Sequence, residues 1–354
     1  MFYQPVLQWH HEHGRTSLPW QQDISPYRVW LSEIMLQQTR VETAIPYFLN
    51  FIQQFPTLQA LAGASEDQVL HHWTGLGYYN RARNMRRAAQ HVVEQHEGAL
   101  PETLDELVAL PGIGRSTAGA ILSISMNQRA AILDGNVKRV LARYHRVEGW
   151  PGGGKALKAL WEMAEHYTPP EPTDGSEPSP SGRYSQAMMD LGATLCTRHK
   201  PQCQICPLAK QCEALQFDEV ALYPQPKPRK VLPVKEIQFL LLSNAEGDIL
   251  LDKRPAVGIW PGLWSLPELP VGSSVEQYCL ERFGKGASAV QEGKPFTHTF
   301  SHFKLNIHPV AALIENASAH VMESEQSFWY NHHQPTKQAG LPAPVKKLLL
   351  KHFE

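Results

Sequence analysis

Two acids and four thiols hold the chemistry in this sequence. Glu33 lies in VWLSEIMLQQT, residues 29 to 39, where its neighbours on one helical face are Trp30, Leu36 and Gln37. A carboxyl packed among such residues loses hydration, so its pKa climbs and it keeps a proton near neutral pH, the state a general acid requires. Asp134 opens Asp134-Gly135-Asn136 at the mouth of a helix that carries Lys138, Arg139 and Arg143. An aspartate there is a helix N-cap as readily as a reacting carboxylate, and one side chain can fill both roles. Cys196, Cys203, Cys206 and Cys212 run as C-x6-C-x2-C-x5-C within seventeen residues. Zinc ribbons and fingers bring two close pairs separated by a longer loop, whereas a single C-x2-C pair between wider intervals suits a [4Fe-4S] cube better. Arg198, His199 and Lys200 lie inside this loop, so a cluster that rigidified it would also present positive charge. On these residues alone an enzyme and a redox protein are both open.

The elements that must position these groups are helical. Leu104, Leu107 and Val108 before Pro111-Gly112-Ile113-Gly114, and Ala118, Ile121 and Leu122 after it, predict helix, tight hairpin, helix. Glycine permits the sharp turn, and the free N–H groups of the hairpin and of the next helix attract a phosphate. Ser25-Pro26 predicts a helix start, with Val29, Trp30, Ile34 and Met35 as its buried side. Further helical patterns cover Val41 to Phe55, Ser65 to Trp73 and Ala82 to Gln95, broken by Pro46, Pro56 and Gly75-Leu-Gly77. Helices over Lys155 to Tyr167 and Tyr184 to Leu195 lead to the cysteine run. Between them, residues 168 to 182 are rich in Pro, Ser, Gly and acid and read as an extended surface loop. His10, His11 and His13 read as a surface cluster, having no acidic or Cys partner nearby in sequence.

Around residue 215 the pattern changes. Pro224, Pro226, Pro228 and Pro233 alternate with lysines and Arg229 in an extended linker, and beyond it the periodicity becomes strand-like. Residues 236 to 243 and 248 to 253 predict a β-hairpin, 260 to 264 a loop, 274 to 283 a helix, 296 to 310 a strand or strand pair, and 343 to 353 a closing helix. The organisation expected is a helical domain at 1 to 215 with the cysteine loop at 196 to 212, a linker at 216 to 234, and an α+β domain at 235 to 354.

With 354 residues both domains can bury a core, and no apolar run is long enough to span a bilayer. No basic-apolar-small signal segment opens the chain, so a cytoplasmic protein is expected. The net charge of -1 provides no global pull toward nucleic acid, and any such binding must come from local patches. Arg81, Arg83, Arg86 and Arg87 form one, beside Tyr78 and Tyr79; Lys138, Arg139, Arg143 and Arg146 form another. Aromatics beside arginines can wedge or stack on bases, although solvated helix faces and ordinary packing use the same residues.

Read together in chain order, these segments resemble the adenine DNA glycosylases. These are base-excision enzymes of the helix-hairpin-helix superfamily, which also contains endonuclease III, and they remove adenine mispaired with 8-oxoguanine. The matching pieces are VWLSEIMLQQT, GLGYYNRARN at 75 to 84, LPGIGRSTAGAI at 110 to 121, LDGNVKRVLAR at 133 to 143, QAMMDLG at 186 to 192, the cysteine run and FSH at 300 to 302. The resemblance implies Glu33 as general acid, Asp134 as the carboxylate that stabilises the sugar cation with Asn136 orienting it, and the four cysteines as [4Fe-4S] ligands. It implies phosphate binding at Gly112 to Gly114 with Ser116 as a further DNA-binding residue, contact with the 8-oxoguanine side by Gln38, Thr39 and Tyr78, and sensing of the oxidised base by Phe300, Ser301 and His302. The partner implied is double-stranded DNA with adenine opposite 8-oxoguanine or guanine, bound by a monomer.

Relatives that also cut the strand through a Schiff base carry a lysine two residues after the hairpin's second glycine. Here that position is Ser116, so a monofunctional enzyme is expected. The C-terminal part resembles the Nudix fold, and Gly262 to Glu268 fits the start of that family's metal box. The Arg-Glu-x-x-Glu-Glu continuation is missing, since 276 to 281 read EQYCLE, so this domain is expected to bind rather than hydrolyse. The competing readings are an endonuclease III-like enzyme for oxidised pyrimidines, opposed by Ser116 and the added domain, and a non-catalytic iron-sulfur DNA-binding protein.

Overall fold

The computed structural model describes residues 1–171, 179–228, 231–314, 326–331 and 339–353. Part of the acidic loop, 172–178, and positions 229 and 230 of the linker lie outside them. Two compact units result, and they do not follow simple chain order. The first comprises Met1–Gly63 and Asn84–Arg229; the second comprises Ala64–Arg83 and Lys230–Glu354.

The first unit is helical. It contains α1 (Tyr3–His13), α2 (Pro26–Leu36), α3 (Val41–Gln54) and α4 (Leu58–Gly63), and α5 (Glu66–Trp73) belongs to the other unit. The series continues with α6 (Asn80–Gln95), whose first turn up to Arg83 belongs to the other unit, and with α7 (Leu104–Ala109), α8 (Arg115–Ala120), α9 (Gly135–Tyr144), α10 (Gly154–Tyr167), α11 (Ser181–Asp190) and α12 (Glu213–Gln216). Pro46 lies inside α3 and does not break it, although its missing N–H removes one bond of the ladder. Two helices end in a π turn, α8 at Ile121–Ser125 and α11 at Leu191–Leu195. Leu133, Val137, Val140 and Leu141 form one core with Leu160, Met188 and Leu191, so α9 is packed by α10 and α11. His10 departs from the surface reading: it is buried, with Nε2 3.3 Å from the buried Asp190 carboxylate. Arg15 completes that cluster through its backbone N–H and guanidinium, and the partner invisible in local sequence is supplied by α11.

The second unit is built on an eight-stranded sheet among the described residues, with central order β3-β2-β1-β7-β5. Its strands are β1 (Val234–Ser243), β2 (Ile249–Lys253), β3 (Trp264–Ser265), β4 (Glu268–Leu269), β5 (Ala287–Glu292), β6 (Phe296–Thr299), β7 (Lys304–Ile314) and β8 (Ser327–Tyr330). β1 and β2 form the expected antiparallel hairpin, while β1 runs parallel to β7 from Val234↔Lys304 to Ser243↔Leu313. Alternate residues face opposite sides. Leu240 and Leu242 pack with Val275 and Cys279 of α13 (Val275–Phe283), and Leu241 shares a cavity with Leu348 of α14 (Ala343–Phe353). No helix among the described residues is long and apolar enough to cross a membrane.

Candidate active site

Glu33 owes its place to α2. Ser25 caps this helix by accepting from the Arg28 N–H at 3.3 Å, Pro26 sets the first turn, and Val29, Trp30, Ile34 and Met35 bury it against α3, α8 and the π turn. Only part of Glu33 meets solvent, and its carboxyl accepts no hydrogen bond from the described residues. Loss of hydration raises its pKa to about 8, and the nearby Asp134 carboxylate adds to the rise.

Asp134 is the N-cap of α9. Its Oδ1 accepts from the Val137 N–H at 2.9 Å and its Oδ2 from the Asn136 amide at 3.0 Å. Burial raises this pKa too, opposed by those hydrogen bonds and by the Arg139 charge. Glu33 has no such donors, so a proton shared between the two carboxyls resides on Glu33. Ser116, on α8, accepts from the Leu133 N–H at 2.9 Å and thereby ties α8 to the residue preceding Asp134.

At the hairpin between α7 and α8, Gly112 adopts φ 79, and an added Cβ there would lie 2.7 Å from Asn84 Cβ. Gly114 caps α8 with open space around it. Ile113 is buried between them, and neither glycine N–H has an acceptor among the described residues. These are the groups an anionic oxygen would find.

The four cysteines line one small cavity of about 30 Å³ together with Arg143 and Leu195. Among the described residues no three His, Cys, Asp or Glu side chains converge on a point as ligands of one ion would. Four thiols around a common hollow are a donor set that a polynuclear iron-sulfur cluster would fit.

Gln38 and Thr39 occupy the turn between α2 and α3, just past the end of the helix that carries Glu33, and Gln38 is exposed with φ 58. The second unit holds the other sequence-derived contact residues. Tyr78 is half exposed at φ 47, with the Arg81 guanidinium 5.6 Å from its ring centre and bonded to the Leu76 and Gly77 carbonyls. Phe300, Ser301 and His302 form the tip between β6 and β7, with Ser301 and His302 exposed and their Oγ and Nδ1 3.4 Å apart.

Comparison with known proteins matches residues 31–166 to the HhH-GPD superfamily of base excision DNA repair proteins and 238–351 to the NUDIX domain. The chain is 41% identical to an adenine DNA glycosylase of Buchnera aphidicola over 99% of its own length and 97% of that protein's. The chain belongs to the adenine DNA glycosylase family. The family's human member is 33% identical over 85% of this chain and 64% of its own length. A thermostable thymine-DNA glycosylase structure, at 24% identity and TM-score 0.52 over 61% of this chain and 95% of its own, shares the helical fold. The protein is accordingly a base-excision repair enzyme.

Sequence reading missed the residues that join Asn136, the hydrogen-bond partner of Asp134, to the cysteine loop. Arg139 donates to Asn136 Oδ1 at 2.8 Å, to the Gly192 carbonyl at 2.6 Å and to the Cys196 carbonyl at 2.6 Å. Arg143, itself buried, donates to Cys196 Sγ at 3.3 Å and to the carbonyls of Thr197, Arg198, Val220 and Tyr223. These arginines are therefore not the free basic patch that their run suggests. Their i, i+4 spacing places both on one face of α9, the only signal the sequence offers. Gly192 allows the approach, because a Cβ there would stand 2.5 Å from Asn136 Cβ. In the other run, Arg81 and Arg83 are likewise engaged, the latter with Glu66 and the Pro261 carbonyl.

Proposed function

We propose that this enzyme hydrolyses the N-glycosidic bond of adenine mispaired with 8-oxoguanine or guanine in duplex DNA, acting as a monomer and leaving the strand uncut. The observation that carries the reading is the pair of neighbouring carboxyls with unequal support: Glu33 desolvated and without donors, Asp134 held by two hydrogen bonds and a cation.

Glu33, protonated, gives its proton to adenine N7. The C1′–N9 bond then breaks with its electron pair going to the base. Asp134, ionised, stabilises the positive charge left on the sugar, and Asn136 orients it through the amide bond to Oδ2. Water adds to C1′ and returns a proton to the Glu33 carboxylate, which restores the acid. Adenine must leave the duplex to reach these groups, at a cost of a few kcal/mol that intercalation by Gln38 or Tyr78 offsets. Left-handed backbone at both positions supports this role, since strained residues project from tight turns where the surroundings hold them. Gly112 and Gly114 take a backbone phosphate, Thr39 assists on the 8-oxoguanine side, and Phe300, Ser301 and His302 sense the oxidised base.

Cys196, Cys203, Cys206 and Cys212 would hold a [4Fe-4S] cluster, whose binding would cross-link the loop whose carbonyls Arg139 and Arg143 grip. The functional organisation is a glycosylase domain at 1 to 215, a linker at 216 to 234 and a recognition domain at 235 to 354.

Ser116 carries no amine, which supports hydrolysis over Schiff-base chemistry. The test is a duplex with adenine opposite 8-oxoguanine, incubated with the enzyme and then treated with hot alkali. Breaks that need the alkali are expected. Breaks without it would make the enzyme a lyase, and none at all a binder.

A further inference from the structure

Within the second unit, one turn touches the tip that the proposed function directs at the oxidised base and also Arg83, in the helix that follows the Tyr78 turn. It is Trp260-Pro-Gly-Leu-Trp264, which leads into β3. On one side the Trp260 ring lies 5.3 Å from Phe300 and 5.5 Å from His298. Phe300 in turn stacks on Phe303 at 4.3 Å and donates its N–H to the Phe303 carbonyl, so the tip closes on itself with Trp260 as its support. On the other side the Pro261 carbonyl accepts from Arg83, in the first turn of the helix that follows Tyr78 directly. Arg83 is fixed by Glu66 at 2.8 Å, and its N–H returns to the Tyr79 carbonyl at 3.2 Å.

The turn itself is strained. Trp260 adopts φ 48 and Gly262 φ 64, and a Cβ at 262 would stand 2.9 Å from Glu66 Oε1 and 3.0 Å from Arg83 Nη2. A tryptophan held in left-handed backbone persists only where its surroundings over-determine it. Trp260 is 8% exposed, with the Arg254 guanidinium 5.9 Å from its ring centre.

We propose that this turn is the joint that sets the distance between the Tyr78 turn and the Phe300–His302 tip. Trp260 is the positioning residue for the tip, and Gly262 is what lets Arg83 close on the Pro261 carbonyl. The proposal rests on the reading of the tip as the sensor of the oxidised base. Guanine and 8-oxoguanine differ at two adjacent ring positions, so a sensor displaced by about an ångström loses the distinction. Excision opposite guanine makes no use of that sensor and should not respond.

Single-turnover excision by the full, cluster-containing chain tests this, comparing adenine opposite 8-oxoguanine with adenine opposite guanine. Trp260→Ala is expected to lower the ratio of the two rates by about threefold to tenfold, the range of one aromatic contact, with the guanine-opposite rate unchanged. Trp260→Phe should restore most of the ratio, and Gly262→Ala should lower both rates, through the Tyr78 turn that both substrates use, but the 8-oxoguanine-opposite rate more, which keeps the test available where Trp260→Ala fails to fold. An unaltered ratio in a folded Trp260→Ala or Gly262→Ala protein overturns the proposal, as does an equal loss on both substrates, the mark of general destabilisation. A wild-type ratio of one would instead remove the reading of the tip on which the proposal stands.

Discussion

A carboxyl that is to give up a proton near neutral pH has to be taken out of water without being offered a hydrogen-bond donor, and Glu33 meets both conditions. Replacing it by Gln is expected to lower excision by about a hundredfold to ten-thousandfold while mismatch binding persists; activity near wild type would remove Glu33 from its role. Its protonated form is the active one, so the excision rate should fall as pH rises through about 8, and that limb should vanish from any residual rate of Glu33→Gln. The same shift acts on stability. Because the folded pKa lies above the ordinary value of 4.5, the contribution is fully present below about 4.5 and is lost as pH rises through about 8. The melting temperature of Glu33→Gln relative to wild type should therefore increase across that window, and a constant difference would count against the shift. Residue type and company made Glu33 and Asp134 legible as candidates in the sequence. Their proximity was not legible, because nothing local encodes a contact between positions about a hundred residues apart.

At the scale of elements, α9 does two jobs at once. Its N-terminus carries Asp134 as cap, and its next two turns send Arg139 and Arg143 into the cysteine loop. A helix pattern predicts that arginines three or four apart share a face, but it does not say whether that face meets water, DNA or protein. The carbonyls that accept from Arg143 come from the cysteine loop and from Val220 and Tyr223, dozens of residues away. Arg143→Met keeps the packing volume and removes the donors. It is expected to cost about 1–3 kcal/mol in urea unfolding and to accelerate loss of the visible absorption that the proposed cluster would give, whereas a wild-type bleaching rate would show that the loop stands without it. The π turns after α8 and α11 were also illegible, since the sequence there continues a good helical pattern; a wider turn depends on what is packed against it.

For the whole molecule, a boundary read from composition and one read from contacts differ. Proline spacing marks a linker near residue 224, and the strand patterns beyond it correspond to real strands, but nothing in residues 64 to 83 announces that they pack with the sheet-containing unit. The reasons are tertiary. Tyr79 donates to the Leu341 carbonyl at 2.7 Å, the Leu341 N–H donates to Thr74 Oγ1 at 3.2 Å, and Lys253 pairs with Asp67 at 2.9 Å. A chain ending at residue 228 loses those three contacts, which tie residues 64 to 83 to the sheet-containing unit. Limited proteolysis should then cut first between 64 and 83, and equal protection in the two forms would contradict the division. The near-neutral net charge has its own consequence: DNA affinity should fall by about tenfold to a hundredfold for a fourfold rise in salt, the response of roughly two to four neutralised phosphates, and a much steeper slope would require a basic surface that the engaged arginines do not supply.

Ser116 bears on how such an enzyme could change trades. The hydroxyl is a peg on which the Leu133 N–H hangs, one residue before Asp134. Substituting lysine there to gain a strand-cutting amine would take away the acceptor as it adds the nucleophile. The route from hydrolase to lyase therefore runs through a loosened carboxylate, and a second substitution that recaptures the Leu133 N–H would have to come first.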